Sequence, residues 1–493
     1  MESQDIKTQD PKDEQLIENK ELSILEALTP IFLLILILAY NVYAFGDSAT
    51  SGPNQFALIL GGAIAAIVGF RNKVSYGAMM EEIAKNIKST AGAILILLLV
   101  GALSGTWLLS GVIPTMIYYG LQLLHPAIFL PACLIICAVI SIATGSSWTT
   151  SATVGIALIG IGSTIGMPLG MVAGAVVSGA YFGDKLSPLS DTTNLAPAMA
   201  GTDLFTHIRY MTLTTVPTMI ITFIIFIFLG LAQTTSGIGD NSATLQAIKE
   251  TFTITPWLFL VPAIVILLII KKTEPLIALL IGTLLGGVFA LIFQPELVAK
   301  IGGSNELTFI SGYKGVMNSI TVETAIETKN EMLSELFSSK GMYGMLSTIW
   351  LILCAMVFGG VMEAIGALTR ITDSLLKLFH TTFGLFASTV ASCLALNLTA
   401  SDQYLAIVVP GKMFAKAYRD KGLAPENLSR TLEDSGTVTS ALIPWNTCGA
   451  YQSGVLGVST WSYLPYAFFN IISPFMTLIF AAFQIKIKQL NSK

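Results

Sequence analysis

Charged side chains are scarce in this chain: Asp, Glu, Lys and Arg make up 11% of its 493 residues, against 53% hydrophobic residues. A soluble globular domain carries roughly 25% charge, so a water-exposed surface of ordinary size is excluded. There are only three histidines, and no zinc-type Cys/His spacing occurs. Nor is there a phosphate-cradling Gly-Lys loop, a dinucleotide Gly motif or a Ser-His-Asp pattern. Neither an enzyme nor a resident cofactor is expected, and without an ATP site any transport is driven by a gradient. Period-2 alternation is missing, which argues against an outer-membrane barrel. No basic stripe suggests nucleic acid as a partner. The five cysteines lie in or beside apolar segments. Cys133 and Cys137 stand one helical turn apart, but with no His or acid beside them they read as small core residues.

Long apolar blocks are what is present. Mean hydropathy is +0.74, and fourteen apolar segments run from Leu28–Phe45 to Tyr463–Ile485. The longer ones suffice to cross about 30 Å of hydrocarbon as helices. The shorter ones, broken by Gly, Ser or Pro, are expected to be re-entrant hairpins or unwound helices. The lipid bilayer is therefore the expected partner and an all-α polytopic membrane protein the expected fold class. Residues 1–26 hold three lysines against eight acids and read as a disordered cytoplasmic tail, not a cleavable signal. Basic residues bias the orientation. Arg71, Lys73, Lys85 and Lys88, Lys271 with Lys272, and Lys486 with Lys488 mark the cytoplasmic side. The loop 294–340, with four lysines and six glutamates, is expected outside.

An internal repeat shows at an offset of 255: Gly105 with Gly360, Gly111 with Gly366, His125 with His380, Thr144 with Thr399, Ser146 with Ser401. The first copy enters from the basic loop and the second from the acidic one, the pattern of an inverted-topology repeat with its site near the midplane. The chain divides accordingly into the tail 1–26, scaffold helices 27–90, a first repeat 91–232, connecting helices and external loop 233–342, a second repeat 343–485 and a tail 486–493.

Polar residues cluster between apolar runs. The stretch 143–153 carries seven hydroxyls, including Ser146 and Ser147, and these are costly to bury without partners. A helix break there frees oxygens for a small cation; the alternative is hydroxyls bonded back to their own helix. In the stretch 179–196, Asp184 and Asp191 stand seven residues apart around Pro188, with Lys185 able to neutralise one of them. Asp191, Thr192, Thr193 and Asn194 supply hard oxygen ligands. The alternative is a charged turn at the membrane surface, and since Thr206–Arg209 has that look, Asp191 ranks ahead of Asp184. In the second half Ser401 and Asp402 occupy the place of the first cluster, with Asp402 opposite Ser147. An acid between apolar runs is a functional candidate. Glu433–Ser440 and Asn446–Thr447 echo the second cluster.

The runs GSSW at 145–148 and GAYFGDKLSPLSDTTNLA at 179–196 resemble the NhaC family of sodium–proton antiporters, and the resemblance extends over about residues 28–485. It implies Na+/H+ exchange across the bacterial plasma membrane with the N-terminus cytoplasmic. It also implies kinship with transporters built from paired re-entrant hairpins, with elevator-type scaffold and transport domains and usually a homodimer. By that analogy Ser146–Thr150 and Ser401–Asp402 are hairpin tips, and Asp191–Asn194 and Asn446–Thr447 the facing unwound strands. Some members exchange organic anions such as malate and lactate, so a small carboxylate substrate stays open. On the residues alone, Asp191 and Asp402 are the expected Na+ ligands. A proton and a sodium ion compete for one desolvated carboxyl, with Ser146, Ser147, Thr192, Thr193 and Ser401 completing the shell.

Overall fold

A computed structural model describes residues 22–45, 49, 51–123, 125–233, 242–271, 273–328, 334, 337–378 and 381–490. The readings made of residues 1–21, Lys272 and His380 lie outside the described residues. The first helix already begins at Ile24, inside the segment read as a tail.

Among the described residues, eight helices are long and apolar enough to cross a membrane, or up to ten with two bent pairs. One bent pair joins Thr244–Thr251 to Pro256–Ile270 at 84°, the other Thr460–Tyr466 to Phe468–Ala482 at 53°. The chain is an all-helical multi-span membrane protein. A two-residue antiparallel ribbon, β1 (Thr324–Ala325) with β2 (Ser338–Ser339), is a minor addition.

The first layer holds α1 (Ile24–Phe45), α2 (Pro53–Arg71), α3 (Tyr76–Ser89) and α4 (Ala91–Leu109). Next come α5 (Val112–Leu123), α6 (Pro126–Thr144) and α7 (residues 147–164, with a π-helical stretch at Ser151–Gly155). They are followed by α8 (Leu169–Leu186), α9 (Asp191–Ala200) and α10 (Leu204–Ala232). The connecting region holds α11 (Ser242–Thr251), α12 (Leu260–Ile270), α13 (Pro275–Phe293), α14 (Pro295–Ile301) and α15 (Phe309–Thr321). The second half has α16 (Leu346–Ala364), α17 (Ala367–Leu378), α18 (Thr382–Thr399) and α19 (Leu405–Asp420). It ends with α20 (Pro425–Leu432), α21 (Thr447–Leu456) and α22 (Phe468–Ala482).

Among its described residues, segment 294–340, read as a loop, thus carries two helices. Thr308 and Ser311 form a reciprocal capping box that starts α15, and α15 lies so close to α4 that a Cβ on Gly105 would meet the Ser319 carbonyl. Thr206–Arg209, read as a surface turn, is the opening of α10; Asp203 caps that helix and His207 is buried. The C-terminal segment 486–490 is docked, not free: the Ala424 amide donates to the Lys488 carbonyl and the Leu490 amide to that of Gly422.

Two bodies of buried apolar side chains pack side by side. One surrounds Leu103, Trp107, Val265 and Phe358 and draws on α1–α4, α12, α13 and α16, and also on α18, α19 and α21. The other surrounds Phe129, Leu134, Val176 and Phe469 and holds α5–α8 and α22. Here α6 and α8 lie nearly backbone to backbone, because Gly179 and Gly183 sit over the Leu134 and Ala138 carbonyls where a Cβ would not fit.

Element boundaries recur between the halves. Gly111 and Gly366, both at positive φ, stand 255 residues apart. From α6 and α18 onward the offset is 256: Gly145 with Ser401, Gly166 with Gly422, Gly201 with Gly457, all at positive φ. One residue is inserted between Leu378 and Thr382, ahead of α18. The shift corrects one detail of the sequence reading: Asp402 stands opposite Ser146, and Gln403 opposite Ser147.

Candidate ion-binding site

Four chain breaks converge between the bodies. The first joins α6 to α7 at Gly145–Ser146, and Phe129 near the start of α6 faces Gly162 near the end of α7, so the two helices form a hairpin. The second joins α18 to α19, and the Phe386 and Tyr418 rings 5.3 Å apart close that hairpin at its base. The third break, around Pro188, separates α8 from α9; the fourth, at residues 443–446 around Pro444, precedes α21. Proline cannot continue either helix. Gly145 at φ 70 is where a Cβ would collide with Leu189 and the Ser190 amide, so the first break rests directly on the third. The second and fourth meet through the Thr447 amide, which donates to the Ser401 carbonyl at 3.0 Å.

Each break exposes a helix start. Ser146 caps α7, Ser190 caps α9 and Asn446 caps α21, each accepting from a backbone amide. Asp402 Oδ1 accepts from the Tyr404 and Leu405 amides at 2.8 and 3.0 Å. Asp184, on the last turn of α8, accepts at Oδ2 from the Ser147 amide at 3.1 Å and the Ser147 hydroxyl at 2.6 Å. Helix starts carry partial positive charge, which holds these carboxylates in place. The equivalent contact in the second half is Ser440 donating to Gln403 Oε1 at 3.0 Å.

A cavity of about 620 Å³ opens where the breaks meet. Of the residues singled out from sequence, Ser146, Ser147, Asp184, Asp191, Thr192, Asp402 and Thr447 line it. Asp184 and Asp402 are each 7% exposed, whereas Asp191 is exposed and reaches only the Tyr404 hydroxyl at 3.5 Å. The ranking of Asp191 over Asp184 is therefore reversed. Four other candidates do not line the cavity. Thr193 donates to the Asp184 and Lys185 carbonyls. Asn194 turns back onto the Pro188 and Ser190 carbonyls. Ser401 is buried with its hydroxyl unpartnered, and Asn446 donates to Asn397. They shape the breaks.

Lys185 neutralises neither cavity aspartate. It points away and pairs with Asp434, both fully buried. The sequence reading also missed Glu274, Gln403 and Tyr404, all of which line the cavity. Glu274 sits just before Pro275 at the start of an apolar run and gave the only available signal, an acid at a span's edge. Several hydroxyls of the 143–153 cluster do bond back to their own helix, Thr150 to the Ser146 carbonyl and Thr153 to that of Thr149. The lining thus holds four carboxyl groups and several hydroxyls, with no Lys, Arg or His among the described residues that line it; no three of these acids stand close enough to grip one ion by themselves. Such oxygen donors suit a hard cation.

Comparison with known proteins identifies the family. The model of the Na+/H+ antiporter family matches residues 179–485. The chain is 38% identical over 420 residues to the Na(+)/H(+) antiporter NhaC of Alkalihalophilus pseudofirmus, covering 85% of this chain and 87% of that protein. It is 36% identical to the malate-2H(+)/Na(+)-lactate antiporter of Bacillus subtilis, covering 91% and 92%. It is 34% identical to the arginine/ornithine antiporter ArcD of Halobacterium salinarum, covering 93% and 92%. With a family model matched over more than half its length and relatives above 30% identity over most of it, this chain belongs to the Na+/H+ antiporter family.

Proposed function

We propose that the chain exchanges Na+ for H+ across the bacterial plasma membrane, with the cation held at Asp184 and Asp402. The observation that carries this reading is the cavity lining, four carboxyl groups with no basic side chain among the described residues. A proton and a sodium ion compete there for the same carboxylate oxygens, because a carboxyl withdrawn from water binds one or the other and rarely stays bare. Exchange is obligatory if the empty, charged carrier does not reorient. The malate/lactate alternative needs a place for one or two carboxylates, and the four acids of the lining repel such a cargo. Helix starts offer it an anion site, but Asp184 and Asp402 already take those amides.

The fold supports an inverted-repeat, moving-barrier mechanism. Gly230, near the end of α10, packs on Ala127 at the base of the first hairpin. Tyr210, near its start, bonds Asn427, just after the second hairpin. A 29-residue helix spans about 43 Å, so the hairpins enter from opposite ends of the bundle. The basic residues Arg209, Lys486 and Lys488 gather at the second hairpin's end, which we place in the cytoplasm by the positive-inside bias.

The test is flux in proteoliposomes with a pH dye and labelled sodium, with and without malate, lactate or arginine. Wild-type protein is expected to couple sodium to protons without any organic solute. Asp184→Asn and Asp402→Asn are each expected to lose that flux while eluting as folded protein. Full activity in both variants sinks the assignment. Flux that appears only with malate and lactate present favours the anion reading instead.

A further inference from the structure

Outside the cavity, the densest buried charge lies where α20 runs into a π-helical turn, Glu433–Thr437. Such turns are rare and concentrate at functional sites. Lys185 arrives from α8 and donates to Asp434. Asp434 also accepts from Thr214 on α10 and from Thr477 and Ser473 on α22. Its oxygens are fully answered by one ammonium and three hydroxyls.

Glu433, the preceding residue, is equally buried, yet neither of its carboxyl oxygens has a hydrogen-bonding partner. Asp184 and Lys185 come from α8, and Asp434 and the Thr437 hydroxyl from its own turn. One turn earlier, the buried Arg430 guanidinium lies over the Tyr210 and Phe480 rings, with no hydrogen-bond partner of its own. His207 on α10 lies near Lys185 and Asp434. α18 brings Cys393 beside Ser435 and Asn397 onto the Gly436 carbonyl. α19 brings the Ala406 carbonyl and Ile407 against Gly436, and α22 brings Asn470 onto the Val438 carbonyl. With Lys185 and Asp434 satisfying each other and Arg430 turned onto the Tyr210 and Phe480 rings, an ionised Glu433 is a buried negative charge without an ion-pair partner. A protonated Glu433 leaves the Lys185–Asp434 pair balanced.

We propose that Glu433 is a second proton-binding site, separate from the cavity and coupled to it through charge, so that part of the proton stoichiometry is set outside the cation site. This rests on the reading of the cavity as the cation site. A cation beside Asp184 brings a positive charge next to the cluster, and Glu433 releases its proton to water. Departure of the cation returns the site to its neutral, protonated form. A route is at hand along α10, where His207 and Thr214 lie two turns apart on one buried face. His207 Nε2 has no partner, and one turn on the Tyr210 hydroxyl meets the Lys486 carbonyl at the end of the bundle.

The test compares the proton-to-sodium ratio of wild type and E433Q in proteoliposomes, read from the pH gradient at which sodium flux reverses. E433Q is expected to transport sodium with fewer protons per ion and to keep its thermal stabilisation by sodium in detergent. E433D, which retains an acid, is expected to keep the wild-type ratio. A wild-type ratio in E433Q overturns the proposal, as does an equally lowered ratio in E433D. Loss of sodium stabilisation in folded E433Q also overturns it, because Glu433 then belongs to the cation site. A measurement on the wild-type protein does not depend on any variant folding: the infrared band of a carboxylic acid in an apolar site is expected to vanish on sodium binding. Its absence overturns the assignment. Failure of the cavity reading shows separately, as full activity in Asp184→Asn and Asp402→Asn.

Discussion

At the scale of single residues, two neighbours on α8 have opposite fates. Asp184 faces the cavity and Lys185 faces Asp434. Adjacent residues on a helix point about 100° apart, so one turn serves both an ion site and an ion-pair core. Removing one partner of a buried pair leaves a bare charge, at a cost of about 3–5 kcal/mol, while replacing both is often nearly neutral. Lys185→Met alone is therefore expected to lower thermal stability in detergent sharply, and Lys185→Met with Asp434→Asn to recover most of the loss. Equal losses in the single and double variants would mean that the lysine acts through packing. None of this pairing was legible in the sequence. The spacing of Asp184 and Asp191 invited Lys185 as their local counter-charge, and its true partner lies 249 residues away.

At the scale of elements, the candidate site sits in the four breaks, three of which the sequence announced. Gly145, Pro188 and the Ser401–Asp402 pair all interrupt apolar runs, and the structure ends a helix at each; the break at Pro444 falls within what read as one apolar segment. What the pattern could not show is which side chains at a break look inward. Asn194 and Asn446 have the right chemistry, but both spend their amides on the backbone or side chain of a neighbouring segment. The matched left-handed positions allow a direct test. A non-glycine residue in that conformation costs roughly 1–2 kcal/mol, and Ser401 bears this at φ 59 where its counterpart Gly145 does not. Gly145→Ala is expected to destabilise the protein by at least that much, since its Cβ would also stand 2.5 Å from that of Leu189. Ser401→Gly is expected to be neutral or stabilising in the same thermal assay. A destabilised Ser401→Gly would show that the serine hydroxyl has a structural role beyond its backbone shape.

At the scale of the whole molecule, α21 and the hairpins pack against the helices of the first core. Trp148 of the first hairpin stacks on Tyr451 of α21 at 3.9 Å, which ties the first hairpin to the segment after the fourth break. α21 touches α16 where Gly454 faces Thr348, and a Cβ placed on Gly454 would lie 3.3 Å from that of Thr348. Disulfides join Cβ atoms at about 3.8 Å, so cysteines at these two positions can be bridged with only a slight shift. If α21 and the hairpins slide against α16 during each cycle, oxidising Thr348→Cys/Gly454→Cys is expected to stop sodium flux, and reducing it to restore the flux. The five native cysteines are free and buried among the described residues, so they compete little for oxidant. Unchanged flux with the bridge formed would mean that access alternates by movement of the hairpins alone, with α21 and α16 staying together throughout.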